Sequence, residues 1–101
     1  MDLTNINWNK KTYREFINYL KTLSDLKYKD FQTKIVNTKL EIIGIRTPII
    51  KDIAKKISKT NIEDYFKLVN NDYYEEVMIY GLILANSNLL DKYFIDFINR
   101  I

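Results

Sequence analysis

The chain contains no cysteine and no histidine in its 101 residues. It therefore has no thiol nucleophile, no Ser–His pair, no disulfide and no Cys/His zinc site. Any catalysis would fall to carboxylates, lysine, tyrosine or serine acting alone, a set too narrow to suggest a complete enzyme. Glycine and proline are scarce, at 2 and 1 residues, so breaks in regular structure are few and easily placed. Long apolar runs are also missing, since none approaches the roughly 18 residues of a membrane span. The start, Met1-Asp2-Leu3-Thr4-Asn5, lacks a basic region leading into an apolar one, so no secretory signal is expected and the cytoplasm is the expected location.

What remains is a balanced mixture: 47% hydrophobic and 29% charged residues, with a net charge of +3. That balance belongs to a folded domain rather than a disordered chain. The mild positive charge permits an anionic partner without requiring one.

Apolar residues recur at helical spacing almost throughout, and no period-2 strand pattern stands out. The periodicity predicts about six helices. The first covers Thr12 to Ser24, with Tyr13, Phe16, Ile17, Leu20 and Leu23 on one face and Arg14, Asn18 and Lys21 opposite. The second covers Leu26 to Asn37, with Tyr28, Phe31 and Ile35 together on one side. A loop from Thr38 to Arg46 contains Gly44. Thr47-Pro48 then opens a third helix reaching Lys59, read as a Thr N-cap followed by Pro at the first helical position.

Thr60-Asn61-Ile62-Glu63-Asp64 offers two overlapping capping boxes for a fourth helix ending near Asn70-Asn71. Asp72 with Glu75 is read as the cap of a fifth helix, Tyr73 to Asn86. This helix is apolar nearly all round and so must be covered on several sides. Gly81 in its middle costs about 1 kcal/mol against Ala, a cost usually offset by close helix approach. A sixth helix starts near Leu89. The expected class is all-α: stacked antiparallel helix pairs forming a fragment of a HEAT-like α-solenoid. Asp64-Tyr65-Phe66 and Lys92-Tyr93-Phe94 give a weak internal echo of such a repeat. Tyr93, Phe94, Phe97, Ile98 and Ile101 make an apolar face with no cap behind it. Residues 1–101 are accordingly expected to be the N-terminal part of a truncated helical-repeat domain. The alternative is that a second copy covers the face by self-association through this helix.

The block Ile42-Ile43-Gly44-Ile45-Arg46-Thr47-Pro48, continued by Ile49-Ile50-Lys51-Asp52-Ile53-Ala54-Lys55-Lys56-Ile57, resembles the first signature of the DNA alkylation repair family of AlkD-like glycosylases. There a G-[IV]-x-[TS]-P turn leads into a helix rich in apolar and basic residues. Asp72-Tyr73-Tyr74-Glu75-Glu76-Val77-Met78-Ile79-Tyr80-Gly81-Leu82 resembles the family's next block, and Lys27-Tyr28-Lys29-Asp30-Phe31 fits the helix before the turn. The resemblance covers most of the chain from Leu26 onward.

The resemblance implies a HEAT-like superhelix that holds duplex DNA in a basic groove and hydrolyses the glycosidic bond of cationic alkylated purines. It also implies that no metal or cofactor takes part. The leaving group is already charged, so a carboxylate and electron-rich aromatics near the sugar suffice. The family's catalytic Asp and its neighbouring Trp fall after the blocks matched here, and Trp8 cannot be mapped onto them, so no catalytic residue is carried over.

The resemblance places Arg46 toward the DNA groove, where a guanidinium can pair with phosphate. Thr47 and the first-turn amides of the third helix would form a phosphate seat. Lys51, Lys55 and Lys59 follow at i, i+4 and i+8, and Tyr28 sits near the same groove. The plain alternatives are a solvated lysine face opposite Ile49, Ile53 and Ile57, and an ordinary loop arginine. Glu75 and Glu76 are expected as dipole-favoured acids of a helix's first turn, with nothing nearby to raise a pKa. The competing function is a HEAT-like module that binds nucleic acid or protein without catalysis.

Overall fold

The computed structural model describes residues 1–70, 72–86, 95 and 99. Five helices follow in order: α1 Lys10–Thr22, α2 Leu26–Ile35, α3 Thr47–Ile57, α4 Ile62–Leu68 and α5 Tyr74–Ala85. Among the described residues there is no strand, only an isolated parallel bridge between Glu41 and Tyr73. The chain is all-α, as its periodicity predicts. Ile95 and Asn99 are helical, but the expected sixth helix and its apolar face at Tyr93, Phe94, Phe97, Ile98 and Ile101 otherwise lie outside the described residues.

Local chemistry sets the helix ends. Asn9 caps α1 by accepting the Thr12 amide at 3.0 Å, while Thr12 Oγ1 accepts the Asn9 amide at 2.9 Å, a reciprocal box one turn earlier than the sequence suggests. Asp25 caps α2 through the Tyr28 amide at 3.1 Å. Of the two boxes predicted for α4, only the N-cap half of the Asn61–Asp64 one is present, with Asn61 accepting the Asp64 amide at 3.4 Å; its side-chain amide donates to the Asp64 carboxylate at 3.0 Å.

Two other starts differ from expectation. The N-cap of α3 is Arg46, with Thr47 and Pro48 as the first helical residues and no side-chain cap. The cap of α5 is Tyr73 rather than Asp72, and Glu76 accepts the Tyr73 amide at 3.1 Å.

The closest helix approaches join α3 to α5 and α1 to α4. Ile79 and Ile83 of α5 and Ile50, Ala54 and Ile57 of α3 are fully buried, continuous with Phe16 and Leu20 of α1 and Tyr65 of α4. Each such aliphatic side chain contributes roughly 1.5–3 kcal/mol on burial. Trp8 closes one end. Its ring meets Tyr65 at 4.8 Å and Phe16 at 5.5 Å, both edge-on, and its indole N–H donates to Thr60 Oγ1 at 2.9 Å. The segment before α1 is thereby tied to the α3–α4 turn.

Helix α2 departs from the sequence reading. Its one buried residue is Gln32, whereas Leu26, Phe31 and Ile35 are exposed at 77%, 56% and 64%. The face shared by Tyr28, Phe31 and Ile35 is thus not the packed one: Tyr28 is half-buried and the other two are exposed. Instead α2 docks by the edge carrying Lys29 and Gln32, because the turn at Gly44 packs there.

Candidate nucleic-acid interface

The segment 41–46 positions everything around α3. Gly44 has φ +90°, and a Cβ built there would lie 2.4 Å from Lys29 Cβ and 2.9 Å from Lys29 Cα. Only glycine meets both demands, the left-handed backbone and the close approach to α2. The Gly44 carbonyl accepts the Asp25 amide at 2.8 Å, and Ser24 Oγ donates to the Ile43 carbonyl at 2.5 Å. The start of α2 is thus pinned to the turn.

From the other side the turn is held by α5. The carboxylate of Glu75, fully buried, accepts the amides of Ile43 at 2.9 Å, Gly44 at 3.0 Å and Ile45 at 3.4 Å. Its neighbour Glu76, also buried, accepts the Tyr13 hydroxyl at 2.5 Å and the amides of Tyr73 at 3.1 Å and Asn70 at 3.2 Å.

The two acids expected to be simple first-turn charges are instead anchors, one for the Gly44 turn and one joining α1 to the loop before α5. Burial raises the Glu76 carboxyl above its ordinary value, against the opposing hydrogen bonds from Tyr13, Asn70 and Tyr73. The expectation that nothing nearby would raise a pKa is therefore overturned. Burial also raises the Tyr13 and Tyr65 hydroxyls, with Glu76 adding to both.

Tyr28, Arg46 and Thr47 come together at the joint between α2 and α3. The Arg46 guanidinium lies 5.2 Å from the Tyr28 ring centre, and its Nε donates to Asp25 Oδ2 at 3.1 Å. The Tyr28 hydroxyl and Thr47 Oγ1 are 3.3 Å apart. Asp25 was not singled out in the sequence; its signal was its place as an α2 cap within reach of Arg46. The Tyr28 amide first, and Arg46 second, hold its carboxyl below the ordinary range.

The anticipated phosphate seat at α3 is poorer than expected. Pro48 has no N–H, and the Ile49 amide already turns back to the Arg46 carbonyl at 3.0 Å.

Thr47, Lys51 and Lys55 fall at i, i+4 and i+8, one stripe about 12 Å long at 1.5 Å per residue. Lys59 lies just past the helix, which ends at Ile57 rather than at Lys59. All three lysines are exposed. With Ser58, Leu82 and Asn86 they line a cleft of about 560 Å³ between α3 and the end of α5, and among the described residues no carboxylate lines it. By contrast, Lys56 on the same helix is paired with Asp52 at 2.9 Å. Among the described residues no cluster of side chains has the makings of a metal site, and no helix is long and apolar enough to cross a membrane.

Compared with known protein families, curated proteins and solved structures, the chain matches none.

Proposed function

We propose that this chain binds duplex DNA along the α3 edge, as the N-terminal part of a HEAT-like glycosylase that excises cationic alkylated purines. Lys51, Lys55 and Lys59 contact phosphates, and Arg46, steadied by Tyr28 and Asp25, extends the positive line past Thr47. The observation that supports this reading most is the cleft itself, lined by three exposed lysines and, among the described residues, by no carboxylate. Such a surface attracts a polyanion without reading its sequence. The resemblance of the Gly44–Pro48 turn supplies the glycosylase part of the reading, and no catalytic residue is assigned in this chain.

The test is fluorescence anisotropy of a labelled duplex with the wild type and with Lys51→Glu/Lys55→Glu, both positions being exposed and outside the core. The expected result is loss of binding with an unchanged melting temperature. Unchanged affinity would remove the interface. The glycosylase part is tested separately by release of methylated bases from methylated duplex, using this chain beside any longer natural form of it. Release by the longer form alone is expected. Release by neither would leave a binding module, and release by this chain would place catalysis where none is assigned.

A further inference from the structure

A second basic surface lies on α1. Lys10, Arg14 and Lys21 stand at i, i+4 and i+11, with Ile17 at i+7 in the same stripe, so one side of the helix carries three cations around an apolar residue. Across from them the end of α4 contributes Lys67 and Leu68. Together they bound a groove of about 480 Å³; among the described residues it shares no lining residue with the α3 cleft and is lined by no carboxylate. The nearest ion pair is weak, with Lys67 Nζ 4.0 Å from Asp64 Oδ1. Lys21 Nζ sits 5.3 Å from the centre of the Tyr73 ring, which together with the neighbouring Glu41 favours its charged form.

The groove has a cross-section. Its floor is apolar, formed by the half-buried Ile17 and Leu68 with the buried edge of Tyr13. Its rims are cationic, and the exposed amides of Asn18 and Asn70 stand among them. A side-chain amide offers both a donor and an acceptor, the pairing that a peptide backbone needs. From Lys10 to Lys21 the stripe runs about 16 Å at 1.5 Å per residue. That length matches about five residues of extended peptide at 3.3 Å each. A nucleic-acid strand suits the lining less well, because among the described residues no exposed aromatic ring is there for a base to stack on.

We propose that this groove docks an acidic peptide segment of a partner protein, with one apolar side chain seated between Ile17 and Leu68 and flanking carboxylates paired with Arg14, Lys21 and Lys67. The site is independent of the DNA reading for α3.

The test titrates the wild-type chain into a fluorescein-labelled peptide of Glu and Asp residues around a central Leu. Controls are the same peptide with Gln and Asn for the acids, one with Ser for Leu, and a labelled oligo(dT). Binding of the acidic peptide is expected, weakened at least about tenfold by either control substitution and by Arg14→Glu/Lys67→Glu in the protein. Lys51→Glu/Lys55→Glu should leave it unchanged, which separates this site from the α3 cleft. Should Arg14→Glu/Lys67→Glu fold poorly by circular dichroism, Lys10→Glu/Lys21→Glu serves in its place. Equal binding of the Leu and Ser peptides would overturn the apolar seat. Tighter binding of oligo(dT), lost in the α1 variant, would reassign the groove to nucleic acid.

Discussion

Glu75 holds Gly44 from beneath: the buried carboxylate accepts the glycine amide at 3.0 Å, joining the first turn of α5 to a turn 31 residues earlier. The same carboxylate takes the amides on either side of the glycine. A run of amides in a tight turn would be costly to bury unsatisfied, and a carboxylate in that position meets all of them with charge-assisted bonds. This contact fixes the approach to α3, and with it the places of Arg46, Thr47 and the lysine stripe.

Gly44→Ala is expected to destabilise the chain by roughly 3 kcal/mol, combining a left-handed backbone with a methyl against the Lys29 backbone. Urea denaturation followed by circular dichroism measures this. Because the contact atoms are Lys29 Cα and Cβ rather than a flexible side-chain end, α2 would have to shift as a body. A neutral substitution would mean that the turn is not packed on α2.

Glu75→Gln keeps shape and volume but replaces one acceptor oxygen with an NH2 group that points donors at donors. A loss of about 2–3 kcal/mol is expected. Glu63→Gln, on the exposed face of α4, is the control and should stay within about 0.5 kcal/mol of wild type. If the two variants melt alike, the three amide bonds contribute nothing to stability.

Stability should also vary with pH in two opposite ways. Glu76 is raised above its ordinary value of 4.5, chiefly by burial, so between that value and the raised one the folded chain binds more protons than the unfolded chain. Stability therefore falls as pH rises through that window. Asp25 is lowered from 3.8, so its contribution is present above 3.8 and lost as pH falls below it. Urea midpoints across this range should show the decline above 4.5 flattened by Glu76→Gln, and the decline below 3.8 flattened by Asp25→Asn. A Glu76→Gln chain that kept the whole upper slope would assign that proton to another group.

The all-α class and the rough helix positions were legible because the periodicity of α1 and α3 is strong and α5 reads as a continuous apolar run. The buried Ile53 and Ile57 follow the period of α3 directly, whereas Ile49, expected on the same face, is 39% exposed and Ile50 is buried in its place. The packing of helix α2 is not legible, because the one-sided Tyr28, Phe31 and Ile35 do not mark its packed side. What decides its orientation is a glycine 15 residues after Lys29, and helical periodicity carries no information about such a long-range contact. The buried roles of Glu75 and Glu76 were hidden for the same reason. In sequence they are two acids in a first turn, while their acceptor function depends on amides that the chain brings back from residues 43–45 and 70–73. The grouping of Tyr28, Arg46 and Thr47 was anticipated through the family resemblance, but Asp25, which holds the guanidinium, was not.

Arg46 separates a DNA contact from a plain clip between α2 and α3. Its Nε is taken by Asp25 and its plane lies beside the Tyr28 ring, leaving the outer edge of an exposed guanidinium free to reach a phosphate. Arg46→Ala removes one phosphate contact, so the slope of log K against log salt for duplex binding should become shallower by about 0.9. Arg46→Lys retains the charge and should keep the slope. It should still lower affinity, because an ammonium cannot hold Asp25 and present a fork to phosphate together. Anisotropy titrations at several salt concentrations measure both quantities. If Arg46→Ala shifts the melting temperature but leaves the slope unchanged, Arg46 serves only to join α2 to α3, and the DNA interface begins at Lys51.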